Sequence, residues 1–358
     1  MPWTKRERIE AVFSGEQPDR VPIYDLMTNT AAVEYYSGEK YCHERGFEIV
    51  CKSVAGAFDM TRDIFAPHAP GAVYTTEFGQ KIQGDGWTQW IVDWGYKDYD
   101  DMLRFIKNHI DFLEGWNATE KDIKEHNDRV AYVQSLIGDT ANMYTAPNAN
   151  LNCCYNLIGM EQFCYLMYDE QELVSRWLKA AALKDLRQLE AFADKRQQAT
   201  CLIYCDIAAK GGLIFSYDFI KKELYWHLEE MCKLMHSKGI KVIFHSDGDI
   251  MGILDDLVNM GVDGLNPIEI AAGMDIKAIK ERFGRKLVLC GGLDVTHMLP
   301  NSTPDQIRRN VMDYMKLAGG DYGLCIGSST EIEDNVPLEN VRAYIETVWE
   351  YGHYPFKF

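Results

Sequence analysis

The sequence predicts an α/β fold, a closed (β/α)8 barrel, from three observations. Segments with apolar residues at helical spacing separate short apolar runs along most of the chain. No glycine-rich dinucleotide-binding fingerprint follows the first run. The runs number eight, which favours a barrel over an open, doubly wound sheet in a chain of 358 residues. They lie at 21–25, 57–60, 131–136, 201–206, 241–245, 263–267, 287–291 and 322–327.

Composition narrows the class of protein. Hydrophobic residues make up 47% of the chain and charged residues 25%, which is typical of a globular protein. The formal net charge of −17 disfavours binding to nucleic acid or to an anionic membrane surface. The N-terminus lacks a signal-peptide hydrophobic region, and no apolar run approaches membrane-spanning length. The 10 cysteines form no CxxC pair and are expected to be buried free thiols of a cytoplasmic protein.

Two additions to the barrel are predicted. A capping box, Thr4 with Glu7, begins an N-terminal helical extension that ends near Gly15. Two alternating runs, GAVYTTEFG and WTQWIVDWGY, are separated by a turn at 83–86 and predict an inserted antiparallel β-hairpin. Because no linker or low-complexity segment interrupts the chain, residues 1–358 are expected to form one domain. Further helices are predicted over 42–56, 172–194, 219–239 and 250–260, from a second capping box at Thr303, and over 337–352.

The central run, KVIFHSDGD at 241–249, ends abruptly on polar residues. In closed α/β barrels the carboxyl ends of the strands carry the chemistry. His245 and Asp247 alternate at this strand end, so both can face the same cavity and are the first catalytic candidates. A hydrogen-bonded core histidine followed by a helix-capping aspartate explains the pattern equally well.

Polar side chains at the other predicted strand ends would share this mouth and contact a substrate. Tyr217 is a second candidate proton donor. Loop capping is an equally good explanation for Asp25 and Asp206, because aspartate commonly serves turns. The candidate substrate-binding residues are Asp25, Asn29, Tyr204, Asp206, Ser216, Asn266, Glu269 and Ser328.

A metal ion is a further option at this mouth. One histidine with carboxylates can bind zinc, although structural zinc usually recruits sulfur. The candidate ligands are His245 with Glu331, or with Asp206 in place of Glu331. Glu331 also fits a solvated acidic run with Glu333 and Asp334. The absence of a Gly-x-Ser-x-Gly elbow and of a cysteine–histidine pattern disfavours nucleophilic acyl chemistry.

Four segments resemble the uroporphyrinogen decarboxylase superfamily: KRERIEAVFSGEQPDRVP, VIFHSDGDIMGILDDLVNMGVDGLNPIE, LCGGLD and VPLENVRAYIETVWEYG. The resemblance spans nearly the whole chain and implies a TIM barrel with its cleft at the strand carboxyl ends. True decarboxylases of this superfamily carry an arginine-rich RQAGRY segment, and the corresponding YDLMTNTAAVEYY contains no arginine. An acidic mouth would also repel a substrate with many carboxylates.

The other branch of the superfamily comprises corrinoid-dependent methyltransferases. Its thiol-methylating members bind zinc through a histidine-x-cysteine pair and a later cysteine. Here the pair matches His245 and Asp247, and the later cysteine falls near 328–330, so both thiolates are replaced. The resemblance therefore implies an O-demethylase component that moves a methyl group from a small donor, such as a methoxylated aromatic, to cob(I)alamin on a partner corrinoid protein.

In this hypothesis the enzyme stabilises the departing oxygen of the donor. His245 would protonate that oxygen, held by Asp247 or Asp206, or would bind zinc instead. The alternatives are a decarboxylase of a uroporphyrinogen-like acid and a non-catalytic tetrapyrrole-binding protein. A decarboxylase needs cationic groups at the mouth, for which Arg20 and Lys210 are the candidates. A cobalamin-carrying module is disfavoured because no Asp-x-His-x-x-Gly pattern occurs, and a homodimer is left open.

Overall fold

The computed structural model describes residues 2–147 and 149–358. Within this part of the chain the strands are β1 (Met27–Thr28), β2 (Met60–Thr61), β3 (His68–Thr75), β4 (Lys81–Gly86), β5 (Thr88–Asp93), β6 (Ala141–Asn142), β7 (Tyr144–Thr145), β8 (Thr200–Tyr204), β9 (Ala208–Ala209), β10 (Gly212–Leu213), β11 (Lys241–His245), β12 (Gly264–Asn266), β13 (Val288–Leu293), β14 (Leu324–Ser328) and β15 (Ile332–Glu333).

The α-helices of the same part of the chain are α1 (Lys5–Ser14), α2 (Thr30–Ser37), α3 (Gly46–Ala57), α4 (Tyr99–Gly115), α5 (Glu120–Ile137), α6 (Asn150–Ile158), α7 (Met160–Asp169), α8 (Gln171–Phe192), α9 (Tyr217–Glu223), α10 (Tyr225–Ser237), α11 (Leu254–Met260), α12 (Ile276–Phe283), α13 (Met298–Asn301), α14 (Pro304–Gly319) and α15 (Leu338–Tyr351). In these residues no helix combines the length and the apolar character needed to cross a membrane.

The strands close into a ring of eight. Six of them form a parallel sheet in the order β7–β8–β11–β12–β13–β14. Ile23 bridges in parallel to Ile326 of β14, and the next residue, Tyr24, bridges to Met60 of β2. β2 then pairs with β6, which leads directly into β7. The predicted (β/α)8 barrel is therefore confirmed.

The third barrel strand lies at 141–145, and the prediction of a strand over 131–136 was wrong. That apolar run forms the last turns of α5. Its buried residues Val130, Val133 and Ile137 recur every three or four positions, which is the helical period. A capping box between Thr119 and Asp122 begins this helix.

The predicted hairpin insertion is a three-stranded antiparallel sheet in the order β3–β4–β5. Residues 83–86 lie within β4, and the turn between β4 and β5 is at Gly86 and Trp87, where Asp85 pairs with Thr88, so the turn was predicted slightly too early in the chain. The first turn comes earlier, where the Thr76 N–H donates to the Gln80 carbonyl oxygen over 2.8 Å. Gly79 in that turn has a φ of 85°, a conformation that glycine adopts without strain.

Helix α1 closes the amino-terminal end of the barrel. The predicted capping box of Thr4 and Glu7 is present. Ile9, Val12 and Phe13 pack in one apolar cluster with side chains of the barrel interior, among them Leu202 and Ile243. Since this end is plugged, the carboxyl ends of the strands form the mouth that is open to ligands.

Candidate active site

The alternation of side chains along β8 and β11 brings polar groups into the barrel. Ile243 packs in the barrel interior, so His245 and Asp247 follow it on the same face. His245 is paired with Tyr204 of β8, and the two rings stack with centroids 4.1 Å apart and planes inclined by 14°. Asn266 of β12 is the partner of His245 on its other side.

Three ligand-type side chains meet at the mouth. The Nε2 atom of His245 lies 3.6 Å from Oδ1 of Asp206 and 3.9 Å from Oδ1 of Asp247. One donor atom from each of the three residues lies within 4.8 Å of the others. The His245 side chain is 3% exposed, whereas those of Asp206 and Asp247 are 28% and 44% exposed. Asp206, His245 and Asp247 are called the mouth cluster below.

A hydrogen bond sets the tautomer of His245. Its Nδ1 lies 2.8 Å from Oδ1 of Asn266, and the Asn266 amide Nδ2 donates to the Cys290 carbonyl oxygen over 3.1 Å. Since Oδ1 of Asn266 is thereby the acceptor, His245 carries its proton on Nδ1 and turns the Nε2 lone pair toward the two carboxylates. Burial, followed by the charge of Arg62, lowers the His245 pKa to about 3. In this tautomer Nε2 carries no proton, which favours the second role predicted for His245, that of a metal ligand, over that of a proton donor.

The mouth cluster has an excess of negative charge. Burial raises the pKa of Asp247 to about 7, and the charges of Asp206 and Glu269 act in the same direction. Nε2 of His245 and Oδ1 of Asp247 are buried, and neither has a hydrogen-bond partner among the described residues. Buried polar atoms of this kind call for a cation or another missing partner.

The donor atoms of the mouth cluster fit a divalent metal. One imidazole nitrogen and two carboxylate oxygens are zinc-type ligands. A metal-binding histidine usually donates its other N–H to a fixed acceptor, as His245 does to Asn266. Asp206, which the sequence offered as the alternative to Glu331, completes the set, and Glu331 is not part of it. Burial raises the pKa of Glu331, and the charge of Glu331 contributes to the raised pKa of Asp247.

Comparison with known proteins places the chain in a family. The model described as uroporphyrinogen decarboxylase (URO-D) matches residues 104–351, more than half of the chain. This protein belongs to the URO-D family. The family resemblance stated from the sequence is thereby confirmed.

Two matches from Methanosarcina mazei, a curated sequence and a solved structure, are similar to this URO-D family member. A methylated-thiol–coenzyme M methyltransferase is 27% identical over 188 residues, which cover 50% of this chain and 48% of that protein. The chain thus matches about half the length of this curated relative. A solved structure of a methyltransferase from this organism superposes with a TM-score of 0.67 at 17% identity, and the match covers 98% of this chain and 99% of that one. This likeness supports the barrel fold.

Arg62 is a mouth residue of this URO-D protein that the sequence analysis missed. It follows β2 on the same face as the interior Met60, and its side chain is 12% exposed. Its Nε donates to the Tyr24 hydroxyl over 2.9 Å, and its guanidinium carbon lies 5.9 Å from the Tyr204 ring centroid. The sequence signal for Arg62 was its position on the same strand face as Met60, at the end of a predicted strand.

The two cations considered from the sequence lie at opposite ends of the barrel, Arg20 at the amino-terminal end and Lys210 in the loop that follows β8 at the mouth. Arg20 forms two hydrogen bonds with the buried carboxylate of Asp59, which also binds Arg8 of α1. These contacts belong to the amino-terminal end of the barrel, where α1 packs. Lys210 is exposed between β9 and β10.

Several predicted substrate contacts are engaged in structural hydrogen bonds. Asp25 is buried and accepts from the Ser328 hydroxyl over 2.7 Å and from the Ser328 N–H over 2.8 Å. Asn29 caps α2 through the Ala32 N–H, and its amide nitrogen donates to two backbone carbonyls. Ser216 caps α9. These contacts leave little hydrogen-bonding capacity for a ligand.

The last two predicted residues, Glu269 and Tyr217, have different surroundings. Glu269 stays near the mouth cluster, where it accepts from the Gly248 N–H over 2.8 Å and its charge raises the pKa of Asp247. Tyr217 is 40% exposed and donates to Asp256 of α11 over 3.0 Å. Tyr217, the second candidate proton donor, is therefore hydrogen-bonded to an outer helix and not directed at the mouth cluster.

Proposed function

We propose that this protein transfers a methyl group from a methoxylated aromatic compound to cob(I)alamin carried by a partner corrinoid protein. The observation that carries the proposal is the mouth cluster, a buried imidazole with two carboxylates beside the aromatic ring of Tyr204. Membership of the URO-D family and similarity to two methyltransferases support the reaction class.

The donor atoms of the mouth cluster favour an oxygen-bound methyl group. The curated relative is named for methylated thiols. Thiolate ligands are soft and favour a metal that binds soft donors such as sulfur. Nitrogen and carboxylate ligands are harder and favour a metal that binds oxygen. The cluster of Asp206, His245 and Asp247 supplies nitrogen and oxygen alone. A methyl ether is therefore a better donor for this chain than a thioether.

The three residues of the mouth cluster would hold a divalent metal such as zinc. When bound, such a metal would act as a Lewis acid and stabilise the negative charge of the departing oxygen. Asn266 holds His245 in the tautomer that presents Nε2, and Asp206 and Asp247 offer the charge that the cation needs. The Tyr204 ring, which stacks on His245 with centroids 4.1 Å apart, would form part of the wall beside a bound substrate ring.

A reduced corrinoid presented by the partner protein would supply the nucleophile that accepts the methyl group. In the overall reaction the carbon–oxygen bond of the ether breaks, the oxygen keeps the electron pair, and the aryloxide product takes up a proton. This chain would bind the ring, orient the methoxy group toward the open mouth and keep water from the reacting bond.

A donor panel tests the proposal. Purified protein is mixed under anaerobic, reducing conditions with free cob(I)alamin and either 2-methoxyphenol, 4-methoxybenzoate, trimethylamine or dimethyl sulfide. We expect the cob(I)alamin absorbance to decay with a methoxyarene and to persist with dimethyl sulfide. Decay with dimethyl sulfide alone would refute the donor class. Persistence of the absorbance with every donor, in the presence of added zinc, would refute methyl transfer.

A further inference from the structure

A cavity that is separate from the mouth cluster lies beside the barrel wall, against α5 and strands β6 and β7. Its volume is ≈ 220 Å³, room for about seven waters at roughly 30 Å³ each. It contains none of the mouth-cluster residues. Its polar lining comprises Asp63, His126, Arg129, Asn142, Thr145 and Gln198.

Three buried polar atoms in the lining have no hydrogen-bond partner among the described residues. They are Nε2 of His126, Oδ1 of Asn142 and Oε1 of Gln198. Gln198 is 4% exposed, and its Nε2 donates to the Met143 carbonyl oxygen over 3.2 Å. That bond fixes the orientation of the amide, so Oε1 is an acceptor that requires a donor from outside the protein.

The rim of the cavity carries one uncommitted positive charge. Arg129 is exposed and forms no ion pair with a described residue. Asp63, the acidic residue of the lining, is bonded to Arg62 over 3.1 Å. His126 is held by stacking on Phe192 with centroids 4.8 Å apart. An anion entering the cavity would thus meet Arg129, while the floor offers Gln198 as an acceptor.

Asp63 has a second unusual feature. Its φ is 41°, in the left-handed region that residues other than glycine rarely adopt. Such strained positions cluster at ligand sites. Asp63 both lines the cavity and directly follows Arg62 in the chain.

We propose that this cavity binds a small carboxylic acid that carries a hydrogen-bond donor, a hydroxyl or an ammonium group, at its other end. The carboxylate pairs with Arg129 at the rim. The donor group reaches Gln198 and the neighbouring amide of Asn142 on the floor. The site is distinct from the mouth cluster, because none of the three residues of that cluster lines it.

Isothermal titration calorimetry with three probes tests the proposal. D-glycerate carries a carboxylate and hydroxyls, L-serine carries a carboxylate with an ammonium and a hydroxyl, and propionate carries the carboxylate alone. We expect glycerate or serine to bind with a Kd of about 1 mM or tighter and propionate to bind at least ~10-fold more weakly. Binding by glycerate alone identifies the hydroxy acid, and binding by serine alone identifies the amino acid.

Matched variants localise the binding. Arg129→Met and Gln198→Leu should each weaken binding at least ~10-fold, the equivalent of about 1.4 kcal/mol. Gln197→Leu is the control, because Gln197 is the adjacent glutamine and does not line the cavity. Since Arg129 is exposed, its variant keeps the fold, which a thermal unfolding curve checks. Absence of binding by both glycerate and serine, or equal binding by wild type and both variants, means that the cavity holds water only and overturns the proposal.

Discussion

The ionisation state of one imidazole sets the chemistry of the mouth. His245 accepts no proton at neutral pH, because burial lowers its pKa to about 3, and Asn266 holds the Nδ1 proton. Asn266 is itself fixed by the Tyr24 hydroxyl, 3.3 Å away, to which Arg62 donates. This hydrogen-bonded chain from Arg62 to His245 aims the Nε2 lone pair at Asp206 and Asp247.

Removing the Asn266 amide should weaken metal binding. In the variant Asn266→Ala the Nδ1 proton loses its acceptor, and the ring is free to rotate or to change tautomer. Loss of such a partner typically costs about 10–100-fold in metal affinity. Competition with a chelating dye measures the zinc affinity directly. Asn117→Ala, which changes an exposed asparagine, is the control, and equal affinity in both variants would contradict the role of Asn266.

The Asp247 carboxylate should be indispensable for methyl transfer. Asp247→Asn preserves size but removes the charge that a cation requires, so we expect the rate of cob(I)alamin consumption to fall by at least ~10²-fold, about 2.7 kcal/mol in the barrier. Asp249→Asn is the matched control, since Asp249 lies in the same loop and accepts from the Met251 N–H over 2.9 Å. An Asp247→Asn enzyme as fast as this control would exclude a direct role for the carboxylate.

At the scale of elements, the loop after β11 is built against the loop after β8. The Asp247 N–H donates to Oδ1 of Asp206 over 3.1 Å, and the Asp249 N–H donates to the Ala209 carbonyl oxygen over 3.0 Å. Gly248 lies between them with a φ of 87°. A Cβ atom at this position would lie 2.5 Å from the Ala208 carbonyl carbon. This close approach brings the two aspartates to one side of His245.

Gly248→Ala should therefore lower the free energy of unfolding by more than backbone strain alone would. Gly211 has a φ of 90° and open space where its Cβ would lie, so Gly211→Ala isolates the strain, roughly 1–2 kcal/mol. For Gly248→Ala we expect more than about 3 kcal/mol, because the backbone of Ala208 must also move. Urea unfolding of both variants measures the difference. Equal losses of stability in the two variants would show that the loops move apart without an energetic cost.

At the scale of the whole molecule, the barrel closes where strand residues 23–24 meet β14. The seam contains the parallel bridge of Ile23 to Ile326 and the hydrogen bonds from Ser328 to Asp25. Burial raises the pKa of Asp25 to about 7, although the bonds from Ser328 act in the opposite direction. The seam is thus most stable when Asp25 carries a proton.

This seam predicts a pH dependence of stability. In the unfolded chain Asp25 would have a pKa of about 3.9, so the folded state binds its proton more tightly. The stability contributed by the protonated group is complete below about pH 4 and is lost as the pH rises toward the folded pKa of about 7. The free energy of unfolding of wild type should therefore fall between about pH 4 and pH 7. Asp25→Asn, which has no titrating group there, should show a smaller fall, and parallel curves would refute the assignment.

Much of the architecture follows from local patterns. The capping boxes at Thr4 and Thr303 start helices where predicted, and seven of the eight predicted strand positions hold or adjoin a barrel strand. The exception, the run at 131–136, contains β-branched and apolar residues that suit a strand, yet its buried positions repeat with helical spacing. Short apolar runs permit both structures, so the third strand could be placed only by its pairing with β2 and β8.

The sequence by itself determined the barrel and the polar end of its fifth strand. The succession of strands and helices along the chain indicates the barrel, and the alternation of side chains along a strand places His245 and Asp247 in the mouth. The tertiary structure decided which distant side chains join them. Asp206 enters the mouth cluster and Arg62 the mouth, whereas Asp25 and Asn29 are engaged in structural hydrogen bonds. Tertiary structure also decided that His245 is neutral, since the bond to Asn266 and complete burial arise only when neighbouring strands pack.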